Sequence, residues 1–550
     1  MLRRLILFPF LSAVLLTLSF PPYNFSFLAW FALIPLMIAI RGERPWQAFL
    51  TGYITGLIFF GAALYWVSYV AIIGALALSL YLALYFGIFA VGTDILLFQF
   101  PKPRVRYAVL VGFLWVGLEY LRSQLFSGFG WVLMGHTQWE NPLIIQIADI
   151  TGVYGVSFLI VFTNVLISSK IKKKMKGFRP EQRYLAFLIM ILITAAMYGY
   201  YKLDRRFTPL EKIHSAREEN SLTGQAGDEM KISVIQGNIP QYQKWDENYA
   251  DGILKKYISL TKEAAKDKPN LIIWPETAVP GFLEADKNLF NKISKLAEEI
   301  KTYLLVGAPT EISPDKGPYF NSAALFSPEG KLIKRYDKIH LVPFGEYVPL
   351  GESFFSFVRT RYDVGEDYSP GKEYTIFEVP ISKQKTAKFG VLICFEDVFP
   401  DLAREFAGKG ADFIVVITND AWFMKTGAPY QHTQSSVFRA IENRINLVRC
   451  ANTGHSCFID QKGRISDSVK NAEGEKIFVD GFVTSKIVPV KAETFYFRHG
   501  DVFARACVWV FLFDLTFYFI YTLINLRRRR SGRDKRSDKA KDKEARESAR

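Results

Sequence analysis

The chain has 550 residues, half of them hydrophobic and 15% aromatic, with a formal net charge of +15. That length exceeds what one hydrophobic core usually serves, so at least two structural units are expected. Much of the positive charge sits in short loops between apolar runs and in the tail from Arg527 to Arg550, which marks an anionic membrane surface and excludes nucleic acid as the expected partner.

Apolar runs concentrate before Tyr201 and after Val502, and crossing a bilayer core of roughly 30 Å takes about 20 such residues. In chain order they are Leu5 to Phe20, Phe27 to Ile40, Ala48 to Ile72, Ala75 to Phe98, Tyr107 to Tyr120, Val153 to Ile167, Leu185 to Tyr201 and Phe503 to Leu526, about eight spans of a polytopic α-helical membrane protein. The first, led by Arg3 and Arg4, also has the basic start and apolar middle of a secretory signal, but no small-residue cleavage site follows and further spans come at once. Lys and Arg favour cytoplasmic loops. Here they cluster at every second boundary: Arg3 and Arg4; Arg41 and Arg44; Lys102, Arg104 and Arg106; Lys170 to Lys176; Arg527 to Arg530. Both termini are therefore expected in the cytoplasm, and the segment after the seventh span on the far side.

Residues 1–201 thus form the helical region, and a polar linker over 202–229 leads to a soluble-looking unit over 230–490. The last span over 503–526 and a basic tail over 527–550 follow. The unit opens with a strand pattern, KISVIQGNI, then a helical stretch from Asn248 to Lys266 and the buried-strand run NLIIWPE. A helix over Ala285 to Lys301, the strand YLLVGAP and a strand pair turning at SPEG come next. The strand KFGVLICFED, a helix from Pro400 to Lys409, the strand DFIVVITND, a helix from Gln431 to Glu442 and the hairpin VRCANTGHSCFIDQKGRI complete it. Strands alternating with helices indicate an α/β domain with a mixed sheet.

Three positions in this unit carry chemistry. Cys394 ends VLIC, directly before Phe395, Glu396 and Asp397. A cysteine in an apolar strand is usually a small core residue, but strand-to-turn placement exposes the sulfur and aims the following amides at a developing oxyanion. Glu276 ends LIIWPE, where Pro275 stops the ladder. Alone it reads as an ordinary loop carboxylate; beside a thiol and sheltered from water it suits a general base. Most lysines are solvated surface charges, but Lys338 lies in RYDKIHLVPFGE, where Pro343 and Gly345 hold the segment against the core. Brought together, the three supply base, oxyanion stabiliser and nucleophile for acyl transfer. Paired metal-ligand spacing is absent and only six histidines occur, so neither metal nor cofactor is expected. Nothing has the form of a disulfide framework, although pairing of Cys450 with Cys457 stays open in an oxidising compartment.

These three motifs, in this order, resemble the carbon–nitrogen hydrolase (nitrilase) superfamily over roughly Met230 to Val490. The resemblance implies an α-β-β-α sandwich with Glu276, Lys338 and Cys394 as its triad. With the spans included, the chain resembles the apolipoprotein N-acyltransferase family over nearly its whole length. That likeness rests on QGNIPQYQKW ending at Trp245, HLVPFGEYVPL after the lysine, and RSQLFSGFGWVLMGHTQWENP from Arg122 to Pro142. It implies that Glu346 and Glu396 are needed for activity and that Trp245 is involved. Phe395 departs from the pattern, which often has tyrosine there: the ring is kept and the hydroxyl is lost. Plainer readings stand beside these: Trp245 anchors its loop by burying aromatic surface, the two glutamates partner Lys338 and nearby amides, and Trp131 and Trp139 sit at a membrane interface. Arg122 has the charge to meet a lipid phosphate.

The activity this resemblance implies moves a fatty acyl chain from a phospholipid to the α-amine of the S-diacylglyceryl-cysteine that begins a bacterial lipoprotein. A thioester on Cys394 would carry the acyl group in a ping-pong cycle, in a multi-pass inner-membrane protein with its catalytic domain in the periplasm. Two other readings stay open: a membrane-tethered amidase in which water accepts the acyl group, and an inert sandwich that binds lipid or lipoprotein.

Overall fold

The computed structural model describes residues 6–99, 105–170, 182–204, 229–244, 246–311, 317–347, 367–491, 493–522 and 524. Trp245, most of the linker and the basic clusters at Arg3, Arg4, Lys102, Arg104, 172–176 and 527–530 lie outside these residues.

Two six-stranded sheets build the 230–490 unit. The first contains β1 (Met230–Gln236), β2 (Leu271–Ile273), β3 (Tyr303–Glu311), β4 (Tyr319–Phe326), β5 (Leu332–Asp337) and β12 (Gly481–Ile487), in the order β12-β1-β2-β3-β4-β5. The second contains β6 (Phe377–Ser382), β7 (Lys385–Ile393), β8 (Phe413–Thr418), β9 (Asn446–Ala451), β10 (Cys457–Ile459) and β11 (Ile465–Ser468), in the order β11-β10-β9-β8-β7-β6. In each sheet three neighbouring strands run parallel, β1-β2-β3 and β7-β8-β9, and the outer ones pair antiparallel.

Side-chain alternation explains the layers. Ile232 and Val234 of β1, Leu271 and Ile273 of β2 and Leu305 of β3 share the core between the sheets. Their neighbours Ile235, Ile272, Leu304 and Val306 instead join a core with the helices Glu247–Ala265 and Lys287–Ile300. A period of two, apolar on both faces, makes such strands read as continuous apolar runs. The helices Pro400–Gly408 and Ala428–Asn443 cover the second sheet, which completes the α-β-β-α sandwich expected from the motifs.

Local chemistry sets the helix starts. Asp246 accepts from the Asn248 amide at 2.9 Å and Asp286 from the amides of Asn288 and Leu289 at 2.9 and 3.0 Å, the side-chain caps that satisfy first-turn donors. The helix expected from Gln431 begins earlier, at Ala428, because Pro429 suits a first helical turn. The strand β12 was not expected; it pairs with β1 over the full register from Met230↔Ile487 to Gln236↔Gly481, a long-range pairing that no local pattern announces.

Among the described residues, four helices are long and apolar enough to cross a membrane: Pro45–Ala63, Ile72–Leu97, Ala186–Leu203 and Val502–Thr522. The pair Pro142–Thr151 and Val153–Ser169, bent by 120°, makes a fifth at most. The apolar run from Leu5 to Phe20 yields an 11-residue helix, Phe8–Leu18, and that from Phe27 to Ile40 a short 3₁₀ turn and the helix Ile34–Ile40. Tyr107 to Tyr120 lies within Val105–Gln124, where Arg106, Glu119 and Arg122 interrupt the apolar character.

Helix Ala428–Asn443 joins the two parts of the molecule and is buried along nearly its whole length. Gln431 accepts from the indoles of Trp66 and Trp131 at 3.0 and 3.1 Å and donates to the carbonyl oxygens of Pro21 and Ala63 at 3.0 and 3.1 Å. Just past its end, Arg444 reaches Asp149 at 2.8 Å and Gln146 at 2.6 Å.

Candidate active site

The glutamate, lysine and cysteine motifs converge where the chain leaves β2, β5 and β7. Glu276 follows β2 by three residues, and β3 lets it sit close: a Cβ at Gly307 would come within 2.2 Å of the Pro275 carbonyl oxygen and 2.8 Å of the Glu276 Cα. Its carboxylate accepts from Asn321 Nδ2 at 2.7 Å and from the Asn419 amide at 2.7 Å, and Lys338 Nζ lies 3.7 Å away. Lys338 directly follows β5, its backbone amide donating to the Asn321 carbonyl at 2.8 Å. Its ammonium donates to Glu346 at 2.9 Å with only 1% of the side chain exposed. Burial alone would lower the proton affinity of that amine; the charges of Glu346, Glu276 and Cys394 outweigh it and hold Lys338 firmly protonated.

Cys394 begins a short 3₁₀ turn, Cys394–Val398, at the end of β7. Its φ is 54°, in the left-handed region that L-residues seldom occupy, so the strand breaks sharply at the sulfur. Burial and the Glu276 carboxylate push the resting thiol well above its ordinary value, and the Lys338 ammonium opposes them. A thiol held in this state is one that a neighbouring base can serve.

Glu396 and Glu346, expected as supporting residues, are both fastened to the lysine loop. Glu396 is fully buried and accepts from the amides of Ile339 at 2.7 Å, His340 at 3.0 Å and Ile393 at 2.7 Å, and from the Tyr336 hydroxyl at 2.9 Å. It thus staples the segment after Lys338 to the strand end before Cys394. Burial pushes its carboxyl up to about 7, against the pull of these donors. Glu346 accepts from Lys338, from Asn321 Nδ2 at 2.8 Å and from the Val342 amide at 2.8 Å.

Sequence reasoning missed three residues here. Asn321 bridges Glu276 and Glu346 from β4, and Lys244 Nζ donates to the Glu276 carbonyl oxygen at 3.0 Å from beside the Gln241–Gln243 turn. His432 lies beneath Cys394 on the Ala428–Asn443 helix. An asparagine inside an apolar strand was the available signal for Asn321; Lys244, only 2% exposed in the structure, gave none in the sequence.

The remaining expected residues fall as follows. The half-buried Phe395 ring stacks on Trp131 at 6.2 Å and meets Phe399 edge-on at 5.1 Å, so the loop from Arg122 to Pro142 reaches the cysteine turn. Trp131 and Trp139 are both buried, the latter donating to Asn24 at 2.9 Å. Arg122 is 3% exposed, stands 5.3 Å over the Phe60 ring and lines a cavity of about 30 Å³, room for about one water. Cys450 and Cys457 are free buried thiols, and Cys450 Sγ donates to the carbonyl oxygens of Ile235 and Ile273 at 3.3 and 3.2 Å.

A two-sheet sandwich with glutamate, lysine and cysteine gathered beyond its strands defines a carbon–nitrogen hydrolase domain, and residues 231–480 match the family model described as carbon-nitrogen hydrolase. The solved structure of Saccharomyces cerevisiae Nit3, a member of branch 10 of the nitrilase superfamily, is 21% identical with a TM-score of 0.36, covering 48% of this chain and 91% of its own. Residues 12–166 match a second model, the apolipoprotein N-acyltransferase N-terminal domain. An apolipoprotein N-acyltransferase of Geobacter metallireducens is 37% identical over 92% of this chain and 94% of its own, and one of Rhizobium rhizogenes 31% identical over 87% and 90%. The chain belongs to the apolipoprotein N-acyltransferase family: it is an N-acyltransferase of lipoprotein biosynthesis, with apolar helices that fit a membrane protein.

Proposed function

We propose that the acyl donor is a phospholipid, that the acceptor is the amino-terminal S-diacylglyceryl-cysteine of a lipoprotein, and that Cys394 carries the acyl group between them as a thioester. Glu276 takes the thiol proton, the sulfur attacks the lipid ester carbonyl, and Lys338 with the Phe395 amide stabilises the oxyanion. The tetrahedral species expels the lysophospholipid alkoxide, which leaves with the proton held by Glu276. The lipoprotein amine then attacks the thioester, its proton returns to the cysteine sulfur through Glu276, and the amide product departs. Glu346 and Glu396 position the lysine and the cysteine turn. The observation that carries this reading is the grouping of the buried Glu276 and Lys338 with the half-buried Cys394, Lys338 being held protonated between two carboxylates.

Membrane attachment fits substrates that are themselves anchored in lipid. We place the enzyme in the inner membrane with about eight spans, both termini cytoplasmic and residues 230–490 periplasmic, supported by the alternation of basic boundaries in the sequence. Trp245 is assigned to substrate binding beside Lys244, and Arg122 to a lipid phosphate, which requires the small cavity beside it to open.

The covalent intermediate tests this reading. Phospholipid alone should acylate Cys394 and release lysophospholipid; the adduct should yield to neutral hydroxylamine and vanish when a diacylglyceryl-cysteine peptide is added. Cys394→Ser should form little adduct, because a hydroxyl is far less acidic than a thiol, whereas Cys450→Ser and Cys457→Ser should still acylate. An adduct on Cys450 or Cys457 would move the nucleophile, and consumption of a simple amide without lipid acylation would make the protein an amidase.

A further inference from the structure

Below the nucleophile lies a fully buried group of charges that the acyl-transfer steps do not use. His432 Nδ1 is 2.9 Å from Asp420 Oδ1, and its Nε2 is 3.2 Å from the main-chain oxygen of Cys394 and 3.0 Å from Asp397 Oδ1. Arg449 Nη1 contacts Asp397 at 2.9 Å and Nη2 contacts Asp420 at 3.4 Å. Thr418 donates to Asp420 at 3.1 Å, Ser436 donates to Asp397, and the Trp131 ring lies 5.0 Å from the imidazole. The fit is close: a Cβ at Gly454 would come within 2.1 Å of Asp420 Oδ2.

The partners dictate the protonation of this imidazole. A carbonyl oxygen and a carboxylate only accept, so Nε2 carries a proton, which the Cys394 carbonyl at 3.2 Å and Asp397 Oδ1 at 3.0 Å share. Asp420, ion-paired to Arg449, is an acceptor, so Nδ1 carries one as well. Charge balance agrees, because two buried carboxylates then face one guanidinium and one imidazolium, whereas a neutral imidazole would leave a net charge out of water. Burial and Arg449 oppose that cation, Asp397 and Asp420 favour it, and the outcome is a His432 raised to about 9.

The bond to Cys394 matters because of what shares its peptide plane. The Cys394 carbonyl and the Phe395 N–H belong to one planar trans unit and point in opposite directions. As one of the first donors of the turn, the Phe395 N–H has no partner within it. We propose that His432 is a positioning residue which, as an imidazolium anchored on Asp420, grips the Cys394 carbonyl and thereby aims the Phe395 amide at the oxyanion. A cation on the carbonyl also polarises the peptide and strengthens its N–H as a donor. The same grip helps hold Cys394 at its positive φ, a conformation L-residues seldom adopt and that must be over-determined by its surroundings. This inference rests on the proposed thioester mechanism and on the Phe395 amide as oxyanion donor.

The test uses the full-length protein in vesicles of phosphatidylethanolamine and phosphatidylglycerol, following acylation of Cys394 in a single turnover by mass spectrometry. Alkylation of Cys394 by iodoacetamide, which passes through no oxyanion, is followed in parallel. His432→Ala should slow acylation by about 10²-fold, the scale of losing one oxyanion donor, with alkylation little changed. His432→Gln, which keeps a donor for the carbonyl, should recover part of the loss. Acylation as fast as in the unaltered protein, or acylation and alkylation falling together, would overturn the proposal. Should the alanine variant fail to fold, Asp420→Asn decides. It keeps the acceptor but weakens the imidazolium, so the alkaline decline of acylation, set near pH 9 by His432, should move to lower pH; an unmoved limb overturns the proposal. If the unaltered protein forms no thioester at all, the thioester mechanism itself fails, a distinct outcome.

Discussion

Lys244 Nζ donates to the main-chain oxygen of Glu276 at 3.0 Å, pinning the peptide that bears the proposed base. Burial pushes this lysine down to about 7, against the attraction of Glu276 and Cys394. Lys244→Met keeps most of the volume and leaves a buried carbonyl unpaired, at a cost of about 1–3 kcal/mol. Initial rates of lipoprotein acylation should fall about tenfold or more with membrane insertion intact; an unchanged rate would make the contact incidental. The unfolded lysine binds its proton up to about 10.5, so between pH 7 and that value the unfolded state holds more protons and stability rises with pH. Thermal unfolding at pH 6.5 and pH 9 should show that rise in the unaltered protein and a smaller one in the variant.

Glu396→Gln should be nearly as damaging as Glu396→Ala. The carboxylate takes donors from Ile339, His340, Ile393 and Tyr336, and an amide group brings an NH₂ that must face one of them. Transfer should drop about 10²-fold as the lysine loop and cysteine turn lose their common anchor. A glutamine variant with near-normal transfer would show that shape, not acceptance, is what matters.

Glu346→Ala breaks a buried ion pair with Lys338, an interaction whose loss costs about 3–5 kcal/mol. Transfer should be abolished or severely reduced while the protein remains inserted, and Glu346→Gln should retain more by keeping an acceptor. Asn321→Ala should reduce transfer in the same direction, because one amide group holds both Glu276 and Glu346. Rates of thioester formation on Cys394 check both; normal rates in the alanine variants would remove these residues from the site.

Orientation is tested by reporter fusion. A reporter active only outside the cytoplasm should work when fused within residues 205–228 and be silent after Arg530. The reverse pattern would put residues 230–490 in the cytoplasm.

Much of the sandwich was legible because its central strands are buried on both faces, so runs such as DFIVVITND declare themselves without reference to partners. The three positions of the proposed triad, Glu276, Lys338 and Cys394, stand out because each ends or closely follows such a run. What escaped was information held in pairing and in three dimensions. The strand β12 exists through its register with β1, more than two hundred residues away. Asn321, Lys244 and His432 act through contacts 32 to 45 residues distant along the chain, to Glu276 and to the Cys394 carbonyl. Helical runs were harder than strands: Phe8–Leu18 ends three residues before the adjacent Pro21 and Pro22, and the run from Phe27 is divided between a short 3₁₀ turn and the helix Ile34–Ile40, and apolar composition does not measure length.

The burial of the Ala428–Asn443 helix gives the sandwich no independent outer surface on that side. Successive residues of it look both ways: Gln431 is bound by Trp66, Trp131, Pro21 and Ala63, and His432 by Cys394 and two aspartates. Residues 230–490 cut free of the rest would therefore present a bare flank where two indoles and two carbonyls had been, and would lose the support directly behind Cys394, the proposed nucleophile. A soluble catalytic fragment, the usual shortcut with a membrane enzyme, should aggregate or fall silent here, whereas a chain divided between residues 205 and 228, with both halves co-expressed, should let the flank be reclothed.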